Sequence, residues 1–142
     1  MEKQSGWKRK SKEDIKVIFE FCEGYKHFLN MVKTEREAAA FIKDALANND
    51  FKEDFEHNKI YRVYKNKTVF ALIKGKGRLT DGLNIVAAHL DVPRLDLKQN
   101  PLFEDVDLAM LRTHYYGGIK NYQWVAMPLA LHGVVVKKDG TK

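Results

Sequence analysis

The chain has 142 residues, 44% of them hydrophobic and 31% charged, which suits one domain, or a piece of one, with a modest core. Its net charge of +6 raises nucleic-acid binding, but Lys8, Arg9, Lys10 and Lys12 form the only dense basic run; the other positive charges alternate with acids, so no nucleic-acid partner is expected. The longest apolar stretch, residues 124–136, is broken by Pro128, His132 and Gly133 and falls short of the roughly 20 residues that cross a membrane, so no membrane partner is expected either.

The basic N-terminal segment is followed by no apolar run and no small-residue cleavage site, so it reads as an arm of a cytoplasmic protein rather than a signal peptide. Ser11 and Asp14 have capping-box spacing, and Ile15, Ile18, Cys22, Tyr25, Leu29 and Val32 then recur every three or four residues, which predicts an amphipathic helix. Cys22, the single cysteine, falls on that apolar face and reads as a small buried hydrophobe. Thr34 and Glu37 repeat the capping signature, and Ala38, Phe41, Ile42, Ala45 and Leu46 mark a second helix that ends at Asn48-Asn49-Asp50. Residues 60–64 and 69–73, rich in β-branched and aromatic side chains and joined through Lys65-Asn66-Lys67, predict a β-hairpin.

Residues 83–88 follow an Asp81-Gly82 turn and are nearly all apolar, as in a central strand of an α/β sheet covered on both faces by helices. Residues 94–97, 106–111 and 124–136 carry further strand patterns, interrupted by Gly117-Gly118 and Pro128. Val134-Val135-Val136 followed by Asp139-Gly140 reads as the first arm of a hairpin whose returning strand is not in the chain, which predicts a truncated motif.

The run with chemical content is Val86-Ala87-Ala88-His89-Leu90-Asp91-Val92-Pro93-Arg94-Leu95-Asp96-Leu97. In extended backbone, residues two apart point the same way, so His89 and Asp91 are expected together at the C-terminal end of the strand, where open α/β sheets place ligands. Neutral histidine is a common zinc ligand, and a carboxylate that accepts its second N–H fixes the tautomer. A His-x-Asp triplet alone is a weak signal, for which a structurally satisfied histidine is the ordinary alternative.

The context makes it specific. Residues 87–98, with Asn100-Pro101-Leu102, then Leu111-Arg112-Thr113-His114-Tyr115-Tyr116-Gly117-Gly118-Ile119-Lys120 and Tyr122-Gln123-Trp124, closely resemble the N-terminal region of the aspartyl aminopeptidase (aminopeptidase I) family, particularly its bacterial branch. The resemblance implies the N-terminal part of a zinc-peptidase α/β sandwich, with residues 1–98 in the catalytic domain and residues 99–142 beginning a smaller β-rich assembly domain. It implies His89 as a ligand of one of two zinc ions and Asp91 as the supporting catalytic acid. It further implies a peptide substrate whose first bond is hydrolysed by a water held between the metals, other divalent ions as possible substitutes, and a homo-oligomeric full-length protein. The family's remaining ligands and its general base lie later in the chain, so these 142 residues alone are expected to be inactive. Val92 stands where the family favours a small residue, and the family's glycine run is shortened to Gly117-Gly118.

Other candidates read as structural. His114, Tyr115 and Tyr116 beside Gly117-Gly118 read as a glycine-permitted turn between strands with partly buried aromatics, with a ligand pocket as the alternative. His132 reads as a residue of an apolar strand, Asp96 as a structural contact, and His27 and His57 carry no constellation. A non-catalytic binding or assembly domain derived from the same fold is the rival function; the presence of both His89 and Asp91 weighs against it.

Overall fold

A computed structural model describes residues 5–142. The chain divides into two compact units, Met1–Val86 and Ala87–Lys142. The fold class is α/β, built here from helices and two separate antiparallel hairpins.

In the first unit, helix α1 spans Lys12–Met31 and α2 spans Glu35–Asn48. Both start where the capping signatures place them. Ser11 Oγ accepts the Asp14 N–H and Asp14 Oδ2 accepts the Ser11 N–H, each at 3.0 Å. That reciprocal pair satisfies two donors that the first helical turn leaves unpaired. Donation from the Ser11 backbone also holds the Asp14 carboxyl below its ordinary pKa. At α2, Thr34 Oγ1 accepts from the Glu37 N–H at 3.3 Å, and Glu37 Oε2 accepts from Thr34 and Lys33 at 2.9 and 2.7 Å.

Strands β1, Lys59–Tyr64, and β2, Thr68–Ile73, form the expected antiparallel hairpin. Lys65 and Asn66, at φ +50° and +55°, make a left-handed turn whose twist matches that of the strands. Helix α2 packs on this hairpin, and Ala38, Ala39, Ile60 and Tyr61 are its buried residues. Alanine permits that packing because it carries no side chain beyond Cβ to hold the two layers apart. Phe28 of α1 meets Phe41 of α2 edge to face, with ring centroids 5.2 Å apart. The Cys22 expectation fails: its position on α1 is exposed, because only Ile15, Ile18 and Phe28 of that helix are even half-buried.

The second unit is organised by a longer hairpin of β3, Arg94–Asp105, and β4, Leu108–Tyr116. Its tight turn is Val106-Asp107, at φ +47° and +61°, so the strand expected over residues 106–111 starts two residues later. Between the Leu97↔Thr113 and Leu102↔Leu111 pairs, β3 advances five residues while β4 advances two, so β3 carries three extra residues there. Asn100, at φ +51°, lies within this bulge.

Two strand expectations are corrected. Residues 83–88 form no strand, and Ile85 and Val86 are 78% and 99% exposed. Residues 125–136 form none either, and they follow a short helix α3, Asn121–Trp124. His132 therefore lies outside any strand, at an exposed position. The reason is the same for both runs: a strand is stabilised by a hydrogen-bonded neighbour and a covered face, and no described strand pairs with either. The Asp139-Gly140 turn itself does form, with Gly140 N–H donating to the Lys137 carbonyl at 3.0 Å and Lys137 N–H to the Thr141 carbonyl at 2.9 Å.

Candidate metal centre

His89 and Asp91 lie on the irregular segment that leads into β3, not at the end of a buried strand. Their side chains nevertheless come together as their spacing suggests. His89 Nδ1 is 2.7 Å from the Asp91 carbonyl oxygen and 3.2 Å from Asp91 Oδ1. A carbonyl has no proton to give, so Nδ1 must carry the hydrogen, and in the neutral ring Nε2 then holds the lone pair. That is the tautomer a histidine needs to bind a metal through Nε2, with its other nitrogen anchored to an acceptor. The carboxylate is the acceptor expected from the His-x-Asp spacing; the backbone carbonyl is the nearer one and the carboxylate stands beside it.

Asp91 is held from its other side. The Tyr116 hydroxyl donates to Asp91 Oδ2 at 2.7 Å across 25 residues of sequence. This bond is the first cause lowering the Asp91 pKa, with Asp91's own backbone N–H next and the His89 charge a lesser contributor, while burial opposes them. Asp91 is therefore a carboxylate at neutral pH, placed to stabilise positive charge on the adjacent imidazole or on an ion.

The hairpin brings Tyr116 to this place. Arg94, first residue of β3, pairs with Tyr116, last residue of β4. The Arg94 guanidinium stacks over the Tyr116 ring with Cζ 4.1 Å from its centroid, and Arg94 Nε donates to Asp96 Oδ1 at 2.7 Å. Asp96 thus makes the structural contact expected of it. Gly117 follows at φ +73°, and a Cβ there would stand 3.5 Å from Pro93 Cα, which is ordinary contact. The backbone angle, rather than lack of room, favours glycine.

Tyr116 joins the site through its hydroxyl, although its sequence context favours turn packing over the pocket that was the alternative. His114 pairs across from Asp96, and its Nδ1 lies 3.1 Å from the Tyr115 carbonyl. His57 bonds Asp54 at 2.8 Å, and His27 lies against Phe41. Among the described residues, no group of three or more His, Cys, Asp or Glu side chains converges as a metal site. The donor set at His89 and Asp91 fits part of a zinc site, by tautomer and charge, but two side chains do not make a whole one.

Residues 28–142 match the family model described as aminopeptidase I zinc metalloprotease, M18. The chain belongs to this family. It is 45% identical, over 99% of its length, to a Clostridium acetobutylicum protein named "Probable M18 family aminopeptidase 1", of which it covers 32%. A Thermotoga maritima protein of the same name is 43% identical over the whole of this chain, which again covers 32% of it. The crystal structure of aminopeptidase I from Borrelia burgdorferi B31 superposes on 96% of the chain with a TM-score of 0.89 at 38% identity, and the chain covers 35% of that protein. The M18 aminopeptidase structure from Thermotoga maritima gives 0.85 at 42% identity, over 99% of this chain and 32% of that one. This M18 chain thus spans about a third of the length of the curated relatives it matches. Among its described residues, no helix is long and apolar enough to cross a membrane.

Proposed function

We propose that this M18 chain is the front third of a zinc aminopeptidase that removes the N-terminal residue from peptides, with His89 as a metal ligand and Asp91 as its catalytic support. The observation that carries the reading is His89 itself: in a chain of a zinc metalloprotease family, its Nδ1 is anchored by the Asp91 carbonyl, which leaves the Nε2 lone pair for a cation. Two zinc ions, when bound, supply Lewis-acid polarisation of the scissile carbonyl and lower the pKa of water toward about 7. His89 contributes one nitrogen to that site. Asp91 holds the imidazole in the ligating tautomer and keeps a negative charge beside it, which strengthens the ring as a donor.

Catalytic zinc takes about three protein ligands per ion. Two ions therefore need more than His89 and Asp91, and these 142 residues by themselves are inactive. Residues 1–98 belong to the catalytic domain and residues 99–142 begin the smaller domain, through which the full-length protein forms a homo-oligomer. The protein works in the cytoplasm, and cobalt or manganese can replace zinc on the same ligand types.

The test is a chimera in which these residues replace the matching third of the Clostridium acetobutylicum relative, assayed with zinc for release of the first residue from short peptides. The reading expects hydrolysis that falls by about a hundredfold or more in His89→Ala, the scale of losing a principal catalytic group. An active chimera that is unaffected by His89→Ala sinks the assignment.

A further inference from the structure

We propose that Tyr116 is a positioning residue that fixes the Asp91 carboxylate and, through it, the His89 imidazole with its Nε2 lone pair presented to a cation; this rests on the reading of His89 as a metal ligand. An aspartate carboxylate turns broadly about its last torsion, and the Asp91 side chain is 38% exposed, so its orientation needs a cause. The Tyr116 hydroxyl provides one. By donating to Oδ2 at 2.7 Å it leaves Oδ1 facing His89 Nδ1 at 3.2 Å, beside the carbonyl that accepts the same N–H at 2.7 Å.

Tyr116 is itself held. Its ring lies under the Arg94 guanidinium, Arg94 is fixed by Asp96, and Arg94 and Tyr116 are cross-strand partners at the end of the β3–β4 hairpin. The orientation of an exposed histidine is thereby referred to a hydrogen-bonded ladder through the series Asp96, Arg94, Tyr116, Asp91 and His89. Only the hydroxyl of Tyr116 acts on Asp91, whereas its ring serves the stack. Tyr116→Phe therefore removes the proposed function and keeps the packing.

The experiment uses the 142-residue chain with ¹⁵N-labelled histidine, at about pH 8, above the ordinary histidine range near 6.5. Long-range ¹H–¹⁵N spectra report which ring nitrogen carries the proton, and titration with zinc alone reports His89 affinity. Wild type should show His89 chiefly as the Nδ1–H form. Tyr116→Phe leaves the Asp91 carbonyl as the remaining fixed acceptor of the Nδ1 proton, so it should lower the Nδ1–H fraction without abolishing it and weaken zinc binding at His89 by about tenfold, the lower end of what outer-shell partners of a metal ligand contribute. Tyr115→Phe, at a 63% exposed position, should change neither readout.

In an Asp91→Asn background, Tyr116→Phe should add little, because the carboxylate it acts on is gone. Unchanged tautomer and zinc response in Tyr116→Phe, or an equal effect in the Asp91→Asn background, overturns the proposal. If zinc does not perturb His89 in this chain alone, as its incomplete ligand set allows, the tautomer comparison decides the role of Tyr116 and the chimera decides the ligand reading.

Discussion

The turn at Val106-Asp107 offers a quantitative perturbation, because two non-glycine residues sit there in the left-handed region, at φ +47° and +61°. A β-branched residue is the least suited to that conformation, and an L-residue pays roughly 1–2 kcal/mol to adopt it. Val106 is also 77% exposed, so its side chain returns little burial energy for the strain. Replacing the pair with Asn-Gly, the preferred chemistry for a two-residue turn with both φ positive, should stabilise the β3–β4 hairpin by about 1–2 kcal/mol. Hydrogen exchange is the suitable assay, since it reads local opening rather than whole-chain unfolding. Amides of β3 and β4 on either side of the turn should exchange about 5- to 30-fold more slowly, the factor that corresponds to that energy. Those of α2 and the β1–β2 hairpin, in the other unit, should not change. Unchanged or faster exchange in β3 and β4 would refute the argument that left-handed strain limits this hairpin.

Three further outcomes follow from the first unit. Ser11→Ala should cost about 1 kcal/mol of α1 stability, the usual contribution of an N-cap, read by circular dichroism in a urea titration. Because the Asp14 pKa is lowered in the folded state, its contribution is fully present above the ordinary carboxylate value of 3.8 and is lost as pH falls through the folded value. Asp14→Asn should accordingly lose less helicity than wild type over that acid range, and an identical acid profile would contradict the capping geometry. Ile60, 1% exposed between α2 and its own hairpin, should cost about 2–5 kcal/mol on Ile60→Ala, and a loss below 1 kcal/mol in the same titration would mean the site collapses or was never packed.

What could be read in advance divides along physical lines. Helices α1 and α2 and the β1–β2 hairpin were legible because their signals are local: capping boxes, three- and four-residue periodicity, and a left-handed turn at Lys65-Asn66. Residues 83–88 and 124–136 were misread because apolar patterning reports a capacity for burial and says nothing about whether a partner strand is at hand. Their valines and leucines are instead largely exposed, which also explains why a strand-end position for His89 failed while its closeness to Asp91 held.

The gap at Tyr116 has a more specific origin. Counting back from the Val106-Asp107 turn without irregularity places Tyr116 opposite Leu97. The three extra residues of β3 move it opposite Arg94. Because the extra residues lie in β3, the odd shift also changes the face on which residues 94–97 fall relative to β4, so a register read from patterning alone gives Tyr116 the wrong partner. The bulge could be suspected from Asn100-Pro101, a pair that disfavours regular pairing, but its size could not be counted from those two residues. His89 and Asp91 escaped this difficulty because they are neighbours along the chain and need no register to meet.

Whether His89 is a zinc ligand is decided by zinc content after exhaustive dialysis, for the 142-residue chain, for the chimera with the Clostridium acetobutylicum remainder, and for each with His89→Ala. The chain alone should hold little or no zinc and the chimera two ions, with at least one lost on His89→Ala; two tightly held ions on the chain alone, or a chimera whose zinc is indifferent to His89, would rule out His89 as a ligand of a site completed by the remainder.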